Sequence, residues 1–295
     1  MSSAAGVLTF AFGRPEYART ALDMARAIRL RDADTPLAVA TDLDAGLFRG
    51  WFEQVVPWTA GYASWFERKF DLGAMSPFER TLFLDSDCMV LRPLGEVLRA
   101  FDGHDFSVAG QNVATPWWFR DPGKVRARLP RATYPGFNGG LLWFRRSERA
   151  EAVFARAKSL VAEYDALGFE RLPGGGINDE PLFSLAMAEH DCRAVENAEH
   201  EIMFGPRLQR FSVDVVAGEC EIARHGRIVR PMICHFEGAD KERFVYERER
   251  LRVAARLRLG AGSRWIRPAL DAGALVAWSA RRTGARLARL RARLA

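Results

Sequence analysis

Thr81-Leu82-Phe83-Leu84-Asp85-Ser86-Asp87 is the stretch whose reading decides the fold. Residues 81–84 are β-branched or apolar with no polar alternation, which predicts a short strand buried on both faces. Such strands belong to parallel sheets covered by helices, and this one ends on two carboxylates. Working outward, residues 6–12 (GVLTFAF) predict a first buried strand. Tyr17, Ala21, Met24, Ala25 and Ile28 then fall on one helical face. Pro36 precedes a strand at 37–41, and Val55-Val56 suggests a short third. The pattern predicts a helix over 64–72, strands over 106–109 and 140–144, helices over 148–164 and 180–189, and a late strand over 229–236. Alternating strands and helices imply an α/β domain with a mainly parallel sheet. Residues 114–133, with their Pro, Trp and Arg, read as a long irregular segment, and long loops in compact domains are often functional. No internal repeat is visible.

The chain has 295 residues, 48% hydrophobic and 27% charged, which suits a globular protein and excludes wholesale disorder. Its four cysteines, Cys88, Cys192, Cys220 and Cys234, form no C-x-x-C pair, so a zinc ribbon and a disulfide scaffold are not expected. Residues 1–12 lack a basic segment followed by a long apolar run, and residues 272–280, the most apolar stretch, fall short of the roughly 20 residues a bilayer span needs. The expectation is a cytoplasmic protein.

The formal charge of +6 is unevenly placed. Residues 1–246 hold 30 basic and 34 acidic side chains, a net of −4, while residues 247–295 hold 13 Arg and 3 acids, a net of +10. The division predicts a body, 1–246, and a basic helical tail, 247–295. Leu287, Leu290 and Leu294 recur at helical spacing among arginines, and Trp265 and Trp278 add aromatics. Residues 265–295 therefore fit an amphipathic helix on an anionic membrane surface. They also fit a helix packed on the body or on a second subunit, as in a homo-oligomer. A nucleic-acid partner is not expected, because the body is acidic and carries no reader motif.

Asp85 and Asp87 end a buried strand, where open α/β sheets bind ligands. Their hard oxygens suit Mg²⁺ or Mn²⁺, which can bridge a diphosphate. D-x-D alone is weak and fits solvated or capping roles as well. More specific is the order along the chain: Tyr17 in a Tyr-Ala-Arg helix, Lys69, Asp85-Ser86-Asp87, Phe137-Asn138-Gly139-Gly140, Gly176-Ile177-Asn178-Asp179-Glu180, and His235-Phe236-Glu237-Gly238 with Lys241.

This ordered set resembles the glycogenin-like, family 8 glycosyltransferases, which include bacterial lipooligosaccharide galactosyltransferases. The likeness spans residues 6–245. It implies a GT-A fold, a Rossmann-like sheet flanked by helices that binds a nucleotide-diphosphate sugar. It also implies transfer of a hexose from a UDP-sugar donor to a hydroxyl on a glycan or lipid-linked acceptor, with retention of anomeric configuration. By the resemblance, Asp85, Asp87 and His235 hold a metal, Mn²⁺ before Mg²⁺ because histidine is the softer ligand. Lys69 and Lys241, two of only four lysines, face the donor diphosphate. Tyr17 stacks on the uracil, Asn138 meets the donor sugar, and Gly238 and Asp85 line the donor site. Asp179 lies beside the anomeric carbon.

Each residue has a plainer reading too. Tyr17 fits a core position, Lys69 and Lys241 fit the surface, Asn138 fits a turn, Asp179 or Asn178 fits a helix cap, and His235 fits the core. Cys88 and Cys234 read as packing. Two departures from the family stand out. An Asp-Gln element is Asp179-Glu180 here, losing an amide donor. An Asn-Ser-Gly element is Asn138-Gly139-Gly140. The competing functions are a non-catalytic nucleotide-sugar or glycan binder and a haloacid-dehalogenase-like phosphohydrolase. The latter usually has Thr or Val where Met89 stands.

Overall fold

The computed structural model describes residues 5–58, 66–172, 175–207, 209–224, 226–238, 240 and 243–294, the last eleven as backbone only. The chain forms two compact units. The first comprises residues 1–21, 34–86 and 95–203, and the second residues 22–33, 87–94 and 204–295.

In the first unit a six-stranded sheet runs in the order Gln54–Pro57, Leu37–Thr41, Ala5–Ala11, Arg80–Leu84, Leu141–Arg145, Phe106–Ser107. The first four are mutually parallel, and the last two pairings are antiparallel. The register sets Val7 opposite Leu37 and Leu82, and Phe83 opposite Leu142. Leu82, Phe83 and Leu84 are fully buried, as their uniform apolar character requires. Thr9 Oγ1 donates to the Leu84 carbonyl at 2.7 Å, satisfying the strand where it ends on Asp85. A second, three-stranded sheet joins Val195–Glu196, Ala109–Val113 and Tyr134–Phe137. Here a Cβ on Gly110 would lie 2.4 Å from the Gly136 carbonyl oxygen, so only glycine fits that crossing. The helix Asp179–Glu189 is buried almost all round, and Phe183 packs on Phe70, Phe106 and Phe154.

Residues 114–133 are not wholly irregular: a helix runs over Pro122–Arg128. Asp121 caps it, accepting from the Lys124 amide at 3.2 Å, and Pro122 takes the first helical position. Asp-Pro is a start signal that the aromatic and arginine content masked. The late strand is shorter than residues 229–236, covering Ile233–His235, because Pro231 interrupts the ladder after Val229.

The second unit pairs Ile233–His235 antiparallel with Cys88–Val90, setting His235 opposite Cys88. A meander of Phe211–Asp214, Glu219–Arg224 and Arg227–Val229 adds Val213, Cys220, Ile222 and Val229 to its core. The tail is two long helices, Phe244–Leu259 and Arg267–Leu294, joined by a 3₁₀ segment, Gly260–Ile266. Tyr246 and Val253 enter the core. Arg252 forks onto Asp271 at 2.8 and 2.6 Å, Arg267 bonds Asp214 at 2.5 Å, and Arg281 pairs with Glu247. Phe244 meets Trp278 edge-on at 6.3 Å. The side chains of Leu287, Leu290 and Leu294 lie outside the described residues.

Candidate active site

Four separate stretches of the first unit converge. The 3₁₀ segment Phe66–Asp71 supplies Lys69, because Phe70 beside it is drawn into the core against Phe183. The strand end supplies Asp85, whose amide donates to the Gly140 carbonyl at 2.9 Å. The turn after Phe137 supplies Asn138 and Gly139, with Asn138 Oδ1 accepting from the Gly140 amide at 3.0 Å. The start of the helix Asp179–Glu189 supplies Asp179 and Glu180.

Lys69 is the hub. It is 4% exposed, so the surface reading of this lysine falls. Its Nζ donates to the Gly139 carbonyl at 2.7 Å, and lies 3.3 Å from Asp85 and 3.5 Å from Asp179 Oδ2. Burial pulls the ammonium pKa down, but the carboxylates of Asp179, Asp85 and Glu180 outweigh it and raise the value. Lys69 therefore stays charged. Burial likewise raises the Asp179 carboxyl, with Lys69 opposing and Asp85 reinforcing. Glu180 is pushed up to about 7, first by burial and then by the charge of Asp179, against hydrogen bonds from Gly139 and Asn178. One cation thus faces three carboxyl groups, two of which burial biases toward the protonated form.

Asp179 is 1% exposed and is not the helix cap. Asn178 holds that place, accepting from the Glu180 amide at 3.1 Å. The glutamate at 180 has its own work as an acceptor, taking the Gly139 amide on Oε1 at 2.8 Å. A Cβ on Gly139 would lie 2.9 Å from Asp179 Oδ2 and 3.3 Å from Lys69 Nζ. The serine of the family element does not fit here without displacing the buried pair. Tyr17 is half-buried on the helix Pro15–Arg29. Its carbonyl accepts from Thr20 Oγ1 at 3.0 Å, and that hydroxyl also meets Ser86 Oγ at 2.9 Å.

In the second unit, Asp87 and His235 come together, with Asp87 Oδ1 3.0 Å from His235 Nε2 and both residues buried. The Phe236 amide donates to the Asp87 carbonyl at 3.0 Å. Cys88 joins them: a carboxylate oxygen, a thiol sulfur and an imidazole nitrogen lie within 4.8 Å of one another. Oxygen and nitrogen donors fit Mn²⁺, whereas the thiol is a soft donor that suits zinc better. Sequence reasoning assigned Cys88 to packing, because its pairing opposite His235 joins strands far apart in the chain. Gly238 has φ +56°, which glycine adopts without strain. Lys241 lies outside the described residues.

No protein-family model matches the sequence, and no curated protein matches it either. Among solved structures, the chain is similar to galactosyltransferase LgtC in complex with donor and acceptor sugar analogs. That match has a TM-score of 0.51 at 14% identity, covering 79% of this chain and 87% of that one. The apo bifunctional glycosyltransferase WbbM has a TM-score of 0.49 at 12% identity, covering 81% and 46% respectively, and apo mouse xyloside xylosyltransferase 1 has 0.46 at 16%, covering 68% and 87%. The last two scores are too low to bear on the fold. The likeness to LgtC establishes the architecture expected from the sequence: an α/β GT-A fold with a mainly parallel sheet and a helical C-terminal region.

Proposed function

We propose that this protein is a family 8-like, retaining glycosyltransferase that moves a hexose from a UDP-sugar to a hydroxyl acceptor on a glycan or glycolipid. The observation that carries the reading is the convergence of Lys69, Asp85 and Asp179 from three separate stretches of chain, beside the Asn138-Gly139 turn. Two features support it. The carboxyl groups of Asp85 and Asp179 suit a reacting centre that becomes positive, as an anomeric carbon does when its bond to phosphate breaks. The backbone approach at Gly139 leaves no side chain between the turn and Asp179.

In this reading Lys69 faces the donor phosphates, joined by Lys241. Tyr17 stacks on the uracil, Asn138 bonds the donor sugar, and Gly238 lines the diphosphate. Asp179 opposes the anomeric carbon, as a stabiliser of positive charge or as a transient nucleophile. Asp87 and His235 hold a divalent ion, and Asp85, two residues before Asp87, is the third proposed ligand. When bound, Mn²⁺ neutralises charge on the leaving diphosphate. The leaving phosphate oxygen takes the proton of the acceptor hydroxyl. Cys88 beside Asp87 and His235 supports a second reading for the ion alone, a zinc site. Metal analysis of the purified protein separates the two.

Thermal shift with UDP-, GDP- and CMP-sugars, with and without Mn²⁺, tests the reading. Stabilisation by UDP-sugars that needs metal supports it; release of phosphate from a phosphomonoester, with no response to UDP-sugars, overturns it.

The tail supports a place on the inner face of a membrane. Among the described residues no helix is long and apolar enough to cross one. Trp265 is 76% exposed and lies under the Arg264 guanidinium at 4.7 Å, a pairing suited to an anionic lipid surface. Truncation after residue 283 keeps the Phe244–Trp278 contact and is expected to lower binding to anionic vesicles. Unchanged binding would argue against the final turns as the anchor.

A further inference from the structure

Residues 114–119 carry an exposed aromatic that the donor-side chemistry leaves unused. Trp117 is 54% exposed, yet its ring is held in place. It meets Trp118 at 4.3 Å with the planes 65° apart, and Trp118, only 8% exposed, packs edge-on against Phe137 at 5.5 Å. Below it, Gly136 has no side chain, and a Cβ there would stand 3.3 Å from the Trp117 ring. The loop is braced from outside the ring pair. Arg126 donates to the Ala114 carbonyl at 3.0 Å and to Thr115 Oγ1 at 3.2 Å, and the Phe119 amide donates to the Pro116 carbonyl at 3.1 Å. Trp118 Nε1 is itself buried and meets no acceptor among the described residues. A buried donor without an acceptor is a cost that folded chains normally avoid.

Trp117 lies over Gly136, two residues before Asn138. A rigid, exposed indole binds the apolar C–H face of a sugar at little cost in side-chain entropy, because the ring is already fixed.

We infer that Trp117 is a stacking platform for a pyranose ring of the acceptor, next to the Asn138 turn. The choice of ligand rests on the transferase reading; the platform itself stands on the geometry of Trp117, Trp118 and Gly136. The platform sets which acceptors bind, not how the donor is held.

Fluorotryptophan labelling of the full chain gives a fluorine resonance for each of its eight tryptophans, and Trp117→Phe assigns the one at 117. The labelled protein is titrated with methyl β-D-galactopyranoside, methyl β-D-glucopyranoside and lactose, with glycerol as the control. The expected result is a saturable shift of the Trp117 resonance with at least one pyranoside and none with glycerol. No shift with any pyranoside, or an equal shift with glycerol, overturns the platform. The titration needs neither UDP nor metal. A sugar-dependent shift in a protein that fails to respond to UDP-sugars would therefore sink the donor reading and keep the platform. UDP-sugar binding without a sugar-dependent shift at Trp117 would do the reverse.

Discussion

Lys69 and the arginines of the tail carry the same charge under opposite conditions. Lys69 is buried, outnumbered by Asp85, Asp179 and Glu180, and bound to the Gly139 carbonyl. Arg252, Arg267 and Arg281 are each matched with an acid of their own unit, at or near its surface. The tail holds all of the chain's excess positive charge, yet Arg252, Arg267 and Arg281 are each engaged with an acid on another element. The proposed chemistry sits where the one cation is outnumbered by carboxyl groups. A net charge therefore says little about a reacting site; the imbalance within a few ångströms says more.

The sharpest way to break this contrast is to remove the group proposed to hold the ion. Asp87→Ala is expected to lower metal-dependent UDP-sugar turnover by about 100-fold or more, since even outer-shell changes at metal sites cost 10–100-fold. Full activity in that variant would remove the ion from Asp87 and His235. Next comes the direct test of the two cations. Lys69→Ala strands buried carboxylates and should cost about 3–5 kcal/mol in urea unfolding. Arg281→Ala should cost about 1 kcal/mol or less, because Arg281 is partly solvated. Equal losses would erase the distinction.

Glu180 gives the pH axis. Its carboxyl titrates near 7 in the folded chain, against an ordinary value of 4.5. Between those values the folded state holds more protons than the unfolded chain, so stability is greatest below the lower one. It should fall by about 2–3 kcal/mol as pH rises to the upper one, then level off. Glu180→Gln should flatten that slope in urea titrations from acid to neutral pH. A slope that persists would assign it elsewhere. Gly139→Ser carries the smallest expected loss at the hub, about 1–3 kcal/mol from overpacking against Asp179. A serine variant as stable as the parent would show that the pair can yield.

Much of the first unit was legible in the sequence because its signals are local. The strand at 37–41 matches Leu37–Thr41, and Glu148 and Glu189 mark helix ends where the pattern put them. A run such as Leu82-Phe83-Leu84 admits no other burial. The meander from Phe211 to Val229 escaped notice because its strands are short and carry charged residues on their open faces. Within the hub, the order of motifs named Lys69, Asp85 and Asp179 but not their contacts with one another, and it put Asp85 with the metal where the structure sets it beside Lys69. The roles of Glu180 and Cys88 were not, since both depend on partners forty or more residues away in the chain. The Asp179 cap question turned on one hydrogen bond, which no spacing reveals.

Gly139 has a consequence for how this chain can change over time. Its missing Cβ leaves room for Asp179 and Lys69, and its amide is held by Glu180. A side chain at 139 becomes tolerable only after one of those partners has shrunk or moved, and each partner is itself tied to the others. The order of mutational steps is thereby constrained. A serine at 139 therefore carries a cost that a smaller or displaced side chain at 179 would relieve.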